Sequence, residues 1–438
     1  MDQPDAKISP FLDDLAGFIS ASPSPFHASA LGTELLLNAG FTVVHRDDAW
    51  PSAPGRYVLA DGGALVAWST ADGASVAHGF RILGAHTDSP NLRIRPQPDH
   101  SSVGMGQIGV EIYGGVLLNS WLDRDLGLSG RVSIRTSRGT AQSVLLQVDE
   151  PLLRVPQLAI HLDRSISAEG LRLDPQRHMQ PIWSAAADTA PRFRSWLADR
   201  LSVSPSSIEA WDFMAHDLTP PALIGVDQSM FAASRIDNLL SCHASLRALL
   251  ESLDHPSLSV PVVCLFDHEE VGSQSATGAA GPLLEITLER IALSAGLDRE
   301  QWFAALARSR CISADGAHAT HPNWPERHEP DHLVQIDGGP VIKWNANARY
   351  ATDSPVAASV IALAQSLDIP LQVFVSRNDI ACGSTIGPVT ATRLGIATVD
   401  IGVAQLSMHS AREVTGVADP ARFAALLSAF LTDDSPLG

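Results

Sequence analysis

The chain has 438 residues, 45% of them apolar and 18% charged, and its formal net charge is −18. This length suits about two or three domains, and the composition is that of an ordinary globular protein with a substantial core. The acidity argues against a surface for nucleic acid or anionic membrane, which needs clustered Lys and Arg. Solubility is its simplest explanation, although bound divalent cations could neutralise part of the charge.

Cysteines and the N-terminal segment indicate the compartment. Cys242, Cys264, Cys311 and Cys382 are scattered without a CxxC pair. This spacing argues against a thiolate zinc site or a disulfide framework, so we expect reduced thiols in a cytoplasmic protein. The opening stretch MDQPDAKISPFLDDLAGFIS lacks the basic region and apolar core of a signal peptide. No run approaches the ~20 apolar residues of a membrane span.

Helix and strand signals alternate over the first part of the chain. An amphipathic N-terminal helix is predicted from apolar residues at helical spacing, namely Ile8, Phe11, Leu12, Leu15, Phe18 and Ile19. A second helix is predicted at Pro25–Asn38. Short strands are expected at Arg56–Ala60, Ala64–Ser69 and Arg81–Ala85.

The residue pattern changes between about Arg93 and Leu173, where short β-branched segments separated by glycine turns dominate. The stretch IGVEIYGGVLL at Ile108–Leu118 is typical of them. We predict a mostly β domain inserted into an α/β domain, with a helix at Asp188–Leu201 and a β-rich connection at Trp211–Val226. The predicted limits are 1–92 and 229–438 for the two parts of the α/β domain and 93–228 for the insert.

The α/β rhythm returns from Ser234 onward. Helices are predicted at Asn238–Leu253, Pro282–Ser294, Arg299–Ser309, Pro355–Leu367 and the C-terminus. Strands are predicted at Ser259–Phe266, Cys311–Ser313, Leu371–Val375 and Ile396–Ile401, with a turn-rich CGSTIGP loop before the last. This alternation predicts an α/β fold whose mixed central sheet carries helices on both faces. Chemistry then belongs at the carboxyl ends of the strands.

Acidic and imidazole side chains follow predicted strands or begin a helix in five separate segments. They are His86, Asp88, Asp237, Glu269, Glu270, Asp315 and His409. Each has an ordinary explanation when taken alone, such as an N-cap for Asp237 or a core position for His86. Asp88 suits an Asx-turn, Asp315 a turn, and the two glutamates a solvated strand end. One shared edge of a sheet explains the whole set better than unrelated roles do.

Two imidazoles and three or four carboxylates suit a pair of zinc-like divalent ions, with one carboxylate bridging ions about 3.5–4 Å apart. Asp88 is close enough in sequence to His86 to accept its ring N–H and fix its tautomer. One of the adjacent glutamates can bind metal while the other accepts a proton from activated water. These arguments leave open which of Glu269 and Glu270 takes which role.

The chain resembles the aspartyl aminopeptidase family, in motifs that occur in the same order from His27 through the last helix. They are GAHTDSP, SRIDNLLSC, FDHEEVGSQSATGA, SADGAHATHPN, GGPVIKWNANARYATD, CGSTIGP and LSMHSAREV. One departure is His268, where a small polar residue such as Asn is expected. The resemblance implies a dizinc exopeptidase domain interrupted by a β-rich assembly domain, built into a tetrahedral shell of twelve subunits.

The resemblance also implies the role of each candidate residue. One metal would be held by His86, Asp237 and Asp315. The other would be held by Asp237, Glu270 and His409, so that Asp237 bridges the two. Glu269 would be the general base and Asp88 the residue that orients His86.

Four further residues match substrate-side positions of the family. His318, Lys343 and Tyr350 would face the substrate, with Lys343 as a point charge suited to an acidic side chain. The alternative for Lys343 is an exposed surface lysine. His161, in the insert, would reach the active site of a neighbouring subunit, and its alternative is an ordinary surface histidine. A further group, His321, His328 and His332, lies in a Pro-rich loop and is expected to face solvent.

The predicted function is a zinc metalloaminopeptidase that prefers N-terminal Asp or Glu, with two divalent ions per subunit and Mn²⁺ or Co²⁺ as alternatives at one site. Its partners would be peptides with a free N-terminus and further copies of the same chain, in a dodecamer built from dimers, without nucleic acid or membrane. Alternatives are a preference for neutral or hydrophobic residues, a related dimetal amidohydrolase or deacylase, and a catalytically silent assembly protein.

Overall fold

The computed structural model describes residues 10–435. The chain forms two compact units, of which the first comprises residues up to Asp88, Pro221–Met408 and residues from Glu413 onward. The second comprises Ser89–Pro220 and His409–Arg412. Ile8, part of the predicted N-terminal helix, lies outside the described residues. Within them, no helix combines the length and apolarity needed to cross a membrane.

Ten α-helices occur between residues 10 and 435. They are α1 Pro10–Ala21, α2 Pro25–Asn38, α3 Ile166–Glu169, α4 Phe193–Leu201, α5 Ile236–Ser252, α6 Leu283–Ser294, α7 Arg299–Arg308, α8 Ser354–Ser366, α9 Ile386–Leu394 and α10 Asp419–Leu431. Several begin at the residues expected to cap a helix. Ser24 accepts the N–H of His27 at the start of α2, and Asp298 forms a reciprocal capping box with Gln301 at the start of α7.

The same residues form twenty strands. They are β1 Thr42–Val43, β2 Arg56–Asp61, β3 Ala64–Ser69, β4 Phe80–His86, β5 Asn91–Ser102, β6 Met105–Tyr113, β7 Leu126–Arg135, β8 Ala141–Leu153, β9 Ile182–Ser184, β10 Ile208–Asp217, β11 Ala222–Ile224, β12 Met230–Ala233, β13 Val260–Phe266, β14 Arg310–Ala314, β15 Ala317–His318, β16 Val341–Trp344, β17 Gln372–Val375, β18 Ala397–Gly402, β19 Ala404–Leu406 and β20 Glu413–Gly416.

The first unit is built on a nine-stranded mixed sheet in the order β1-β2-β3-β13-β4-β14-β18-β16-β17. Its central strands β13, β4, β14 and β18 run parallel to one another. Every residue of β13 and β4 is buried, as expected for parallel strands covered on both faces. A second sheet of five strands, β11-β12-β20-β19-β15, belongs to the same unit.

Two hydrophobic clusters cover the two faces of the nine-stranded sheet. On one face α1, α2, α5, α8 and α10 pack against alternate strand residues such as Leu83 and Val263. On the other face α6, α7 and α9 pack against the intervening residues, such as Ile82 and Val262. Because successive strand side chains point to opposite faces, one strand serves both cores. The predicted α/β class, with a mixed sheet and helices on both faces, is confirmed.

The second unit contains a six-stranded antiparallel sheet in the order β8-β7-β10-β5-β6-β9. Its core includes Leu92, Leu128 and Phe213 from the strands and Phe193 and Leu197 from α4. The β-rich connection predicted at Trp211–Val226 is β-rich, but its first part is no connection, because it belongs to β10, a central strand of this sheet. The predicted β character of the insert is confirmed.

Three other predicted elements differ from the structure. The helix predicted from Asp188 begins only at Phe193, because Pro191 disfavours helical backbone in the residue before it. β6 ends at Tyr113, before the glycine pair of IGVEIYGGVLL. The CGSTIGP segment is not all loop: Thr385 accepts the N–H of Gly387 and starts α9, a cap signal that the prediction missed.

Candidate metal centre

Three neighbouring parallel strands bring the candidate ligands together. β13, β4 and β14 lie side by side, and all three end at the same edge of the sheet. His86 is the last residue of β4 and lies opposite Phe266, the last residue of β13. Asp315 follows β14 directly, and Glu269 follows β13 after a two-residue turn. The strand order therefore makes residues that are remote in sequence neighbours in space, as the carboxyl edge of an open α/β sheet does.

Three carboxylates converge on the Nε2 atom of His86. Asp237 Oδ1 lies 3.3 Å away, Asp315 Oδ1 3.5 Å and Glu269 Oε2 3.9 Å. His86, Asp237 and Asp315 are all buried, and one ligand atom of each lies within 4.8 Å of the others. His86, Glu269 and Glu270 form a second group that meets the same distance limit.

Acidic side chains outnumber basic ones at this cluster. Lys343 is a fixed cation beside it, with Nζ 3.5 Å from Asp315 Oδ2. Burial by itself would lower the pKa of His86, but hydrogen bonds to Asp237, Asp315 and Asp88 outweigh burial and raise it. Burial also raises the pKa of Glu269 to about 7. Buried carboxylates are expensive unless a cation compensates them, and imidazole with carboxylate is a donor set that zinc prefers. These residues therefore fit a zinc site.

Asp88 contacts both His86 and the glutamate turn. His86 Nδ1 lies 2.9 Å from the Asp88 backbone oxygen and 3.4 Å from its Oδ1. The Asp88 carboxylate accepts the backbone N–H of Glu269 at 3.0 Å and that of Glu270 at 3.1 Å. One fully buried carboxylate thus fixes the turn that carries both glutamates. Sequence reasoning missed this second contact, because nothing local relates Asp88 to a turn far along the chain.

Asp237 lies at the irregular start of α5. The backbone at Asp237 and Asn238 is not helical, so a kink interrupts the first turn of α5. The Asp237 N–H donates to Glu413 Oε2 at 2.9 Å, and Asn238 Nδ2 donates to the Ala314 oxygen at 2.8 Å. Glu413, buried on β20, is a second residue that sequence reasoning missed. Its only local signal was an acidic first residue in the short strand β20.

Lys343 is only 2% exposed, so the alternative of a surface lysine is wrong. Its Nζ donates to the Gly316 oxygen at 3.0 Å and lies 5.2 Å from the centre of the Tyr350 ring. Tyr350 is buried as well, and burial raises the pKa of its hydroxyl, which therefore stays protonated at neutral pH. Lys343 and Tyr350 thus form one buried group with Asp315.

A cavity of about 250 Å³ in the first unit is lined by His318 and Tyr350. Apolar walls come from Phe374 and Met408, and the polar side chain of Gln405 also lines it. His321, His328 and Arg327 also line this cavity, and the two histidines are half-buried, so the expectation that they face solvent stays a prediction. His332 is exposed and pairs with Glu329.

Two predicted residues belong to the second unit. His161 is exposed. His409 Nδ1 lies 2.9 Å from the Gly115 backbone oxygen, and a carbonyl acceptor there favours the tautomer with the lone pair on Nε2. Their roles at the site stay predictions.

Comparison with known proteins adds the family. The model of a family described as "Aminopeptidase I zinc metalloprotease (M18)" matches residues 18–431. The chain belongs to the M18 family. It is 50% identical over 424 residues to "Probable M18 family aminopeptidase 2" of Streptomyces coelicolor, covering 96% of this chain and 97% of the relative.

Solved structures of M18 relatives share the fold. A chain of the "Cryo-EM structure of the Ape4 and Nbr1 complex" has a TM-score of 0.92 and 35% identity, covering 96% of this chain and 85% of that one. The "Structure of S. cerevesiae mApe1 dodecamer" gives 0.83 and 27%, covering 96% of each chain. The predicted resemblance and enzyme class are confirmed: the protein is a zinc-dependent aminopeptidase.

His268, the departure from the expected M18 pattern, occupies a left-handed backbone position with φ of 65°. Asn and His are both enriched at such positions among non-glycine residues, so the exchange preserves the turn. The His268 ring is held by a 3.0 Å contact between its Nδ1 and Ser275 Oγ. The glutamate turn is therefore supported from two sides, by Asp88 and by His268.

Proposed function

We propose that this M18 aminopeptidase releases N-terminal Asp or Glu from peptides and holds two zinc ions at the carboxyl edge of its nine-stranded sheet. The observation that carries the proposal is the convergence of three carboxylates on His86 Nε2 in a buried region. A single ammonium, Lys343, does not balance them. Divalent cations do, and the family is one of zinc metalloproteases.

We assign the ligands as the family resemblance implies. His86, Asp237 and Asp315 would hold one ion. Asp237, Glu270 and His409 would hold the other, so that Asp237 bridges both. Bound zinc would supply Lewis acidity, which makes water a usable nucleophile near neutral pH.

Glu269 is the proposed general base. It accepts a proton from the attacking water and delivers it to the leaving amine. A pKa raised to about 7 by burial suits both steps, because the group can take up and release a proton near neutrality. Asp88 fixes the turn that carries Glu269 and so orients the base. We assign Tyr350, which stays protonated, and His318 to the substrate carbonyl oxygen, where charge develops during attack.

The acidic preference is supported by the charge of Lys343. In the metal-free structure this ammonium faces Asp315. Zinc bound to Asp315 would neutralise that carboxylate, so Lys343 would then favour an acidic substrate side chain. Kinetic comparison of Asp-, Glu- and Leu-anilides tests this step, and faster release of Leu than of Asp would contradict it.

We also propose that the chain forms a homododecamer of the kind described for mApe1 of S. cerevesiae. The proposed assembly domain is the insert 93–228, and the proposed role of His161 is to complete the site of a neighbouring subunit. Light scattering tests the mass. His161→Ala should keep the assembly and lower turnover, whereas unchanged turnover would reduce His161 to a surface residue. The cytoplasmic location stays a prediction.

The decisive experiment measures metal and activity together. We expect about two zinc ions per chain, loss of peptidase activity on chelation, and recovery when zinc is restored. Matched substrates with free and acetylated α-amines separate the alternatives. Hydrolysis of the acetylated substrate would indicate a deacylase, and a full metal content without hydrolysis of either substrate would indicate a silent assembly protein.

A further inference from the structure

The side chain of Gln405 is buried at the cavity lined by His318 and Tyr350. It is 2% exposed, and its Nε2 atom has no hydrogen-bond partner within the described part of the chain. Buried amide groups almost always find a partner, so a lone donor beside a cavity calls for an explanation. A ligand in the cavity supplies one.

Strand pairing fixes the direction of this amide. In the parallel pair of β15 and β19, Gln405 lies opposite His318, and the Ala319 N–H donates to the Gln405 backbone oxygen at 2.9 Å. Residues opposite each other on neighbouring strands project to the same face of a sheet. Gln405 therefore shares its face with a predicted substrate-side residue.

The amide also lies close to the candidate metal centre. A Cβ atom on Gly316, the residue after Asp315, would stand 3.3 Å from Gln405 Nε2 and 3.2 Å from Met408 Cε. Glycine at this position keeps the space beside the amide open. The donor thus lies next to the residue that follows Asp315, and its side chain lines the cavity.

We propose that Gln405 determines specificity by donating a hydrogen bond to a terminal oxygen on the side chain of the substrate's first residue. The inference rests on the proposed aminopeptidase function and names the group that recognises the acidic residue. Lys343 contributes charge, but its ammonium already contacts Asp315 and Gly316. Gln405 contributes a neutral donor, whose acceptor is a carboxylate or a carboxamide oxygen. An apolar side chain of similar size leaves the donor buried without a partner and is rejected.

The test compares kcat/KM for Asp-, Asn- and Leu-anilides in zinc-loaded wild type and Gln405→Met, which keeps length but removes the donor. We expect the Asp:Leu ratio to fall at least about tenfold. A parallel fall of the Asn:Leu ratio identifies any terminal oxygen as the ligand, and a fall for Asp alone identifies the carboxylate. Unchanged ratios, or an equal loss on all three substrates, would overturn the proposal.

Two further variants guard against a general structural effect. Gln405→Glu keeps the shape but presents a negative charge, so Asp release should fall more than Asn release. An equal fall for Asp and Asn would count against a donor role. Gln142→Met, at an exposed glutamine on β8, should keep wild-type ratios. Zinc content and the thermal midpoint report whether each variant is folded.

A binding measurement separates this inference from the proposed function. L-aspartate and L-asparagine should raise the thermal midpoint of the zinc-loaded wild type more than L-leucine does, and Gln405→Met should abolish the difference. If the wild type cleaves no anilide but shows this pattern, the peptidase proposal fails and the Gln405 assignment stands. If the wild type prefers Asp and the variant keeps that preference, the Gln405 assignment fails and the peptidase proposal stands.

Discussion

The two ends of the same strands bury charge in opposite ways. At the amino ends, Arg81 on β4 and Arg310 on β14 lie opposite each other and are 4% and 1% exposed. The C-terminal segment after α10 binds both. Asp433 Oδ2 accepts from Arg310 Nη1 at 3.0 Å, the Asp433 backbone oxygen accepts from Arg81 Nε at 2.8 Å, and the Ser435 oxygen accepts from Arg310.

At the carboxyl ends of these two strands the compensation is incomplete. His86 ends β4 and Asp315 follows β14, and the acids gathered there raise the pKa of His86 despite its burial. The contrast separates two uses of buried charge. Where the chain supplies the counter-charge, as around Arg310, the charges serve the fold. Where acids exceed the bases of the chain, we propose that the counter-charge comes from outside as a cation.

The largest effect should come from the carboxyl end. Replacing Glu269 with Gln removes the proposed base but keeps the shape of the side chain, so we expect kcat to fall about 10²- to 10⁴-fold with zinc content unchanged. Steady-state kinetics and metal analysis on one preparation measure both. Glu150→Gln, which breaks an exposed pair with Arg200, is the control and should keep wild-type kcat. A Glu269→Gln enzyme with normal turnover would remove Glu269 from the mechanism.

At the amino ends of the strands, a substitution should change the free energy of unfolding and not kcat. Arg310→Met leaves Asp433 without its buried partner, and breaking a buried pair typically costs about 3–5 kcal/mol of unfolding free energy. Urea unfolding measures the loss. Arg154→Met, in an exposed pair with Asp125, should cost less than about 1 kcal/mol. The fraction of Arg310→Met protein that stays folded should bind as much zinc as the wild type does. Loss of zinc from it would show that the two ends are not separate.

A smaller effect is expected at Asp88, which supports the site without being assigned to a metal. Asp88→Asn turns one acceptor oxygen into a donor that faces a backbone N–H of the glutamate turn. We expect a loss of about 10- to 100-fold in zinc affinity or kcat. Competition with a zinc chelator and kinetics give the two values. Asp123→Asn is the matched control, since its exposed carboxylate also accepts a backbone N–H. Wild-type values for Asp88→Asn would leave Asp88 a packing residue.

Sequence patterns predicted the elements around the candidate metal centre and two of its residues. Helix and strand periodicity identified the elements around the centre, because burial on both faces of β13 and β4 leaves continuous apolar runs. Strand ends then indicated His86 and Asp315, since parallel strands present their carboxyl ends at one edge. Family resemblance, not periodicity, chose between Glu269 and Glu270.

Long-range partners could not be predicted. Glu413 supports Asp237, and Asp433 supports Arg310, through contacts between segments that local patterns do not relate. The burial of Lys343 was missed for the same reason: β16 is short, and its neighbours β17 and β18 come much later in the chain. Pair contacts of this kind follow from the assembled sheet and not from any window of sequence.

The smallest predicted effect concerns pH and bears on whether cations complete the carboxyl end. Burial raises the pKa of Glu269 to about 7 in the metal-free protein. The base acts as a carboxylate, so kcat/KM should fall about tenfold per pH unit below its pKa. Cations bound at Asp237 and Asp315 would stabilise that carboxylate and lower its pKa, which places the acidic limb of the zinc enzyme below about pH 7. A pH profile of kcat/KM measures the inflection. An inflection of the acidic limb above about pH 7.5 would mean that no positive charge lies close enough to lower the pKa of Glu269. The carboxyl end of the sheet would then not differ from the amino end by a bound cation.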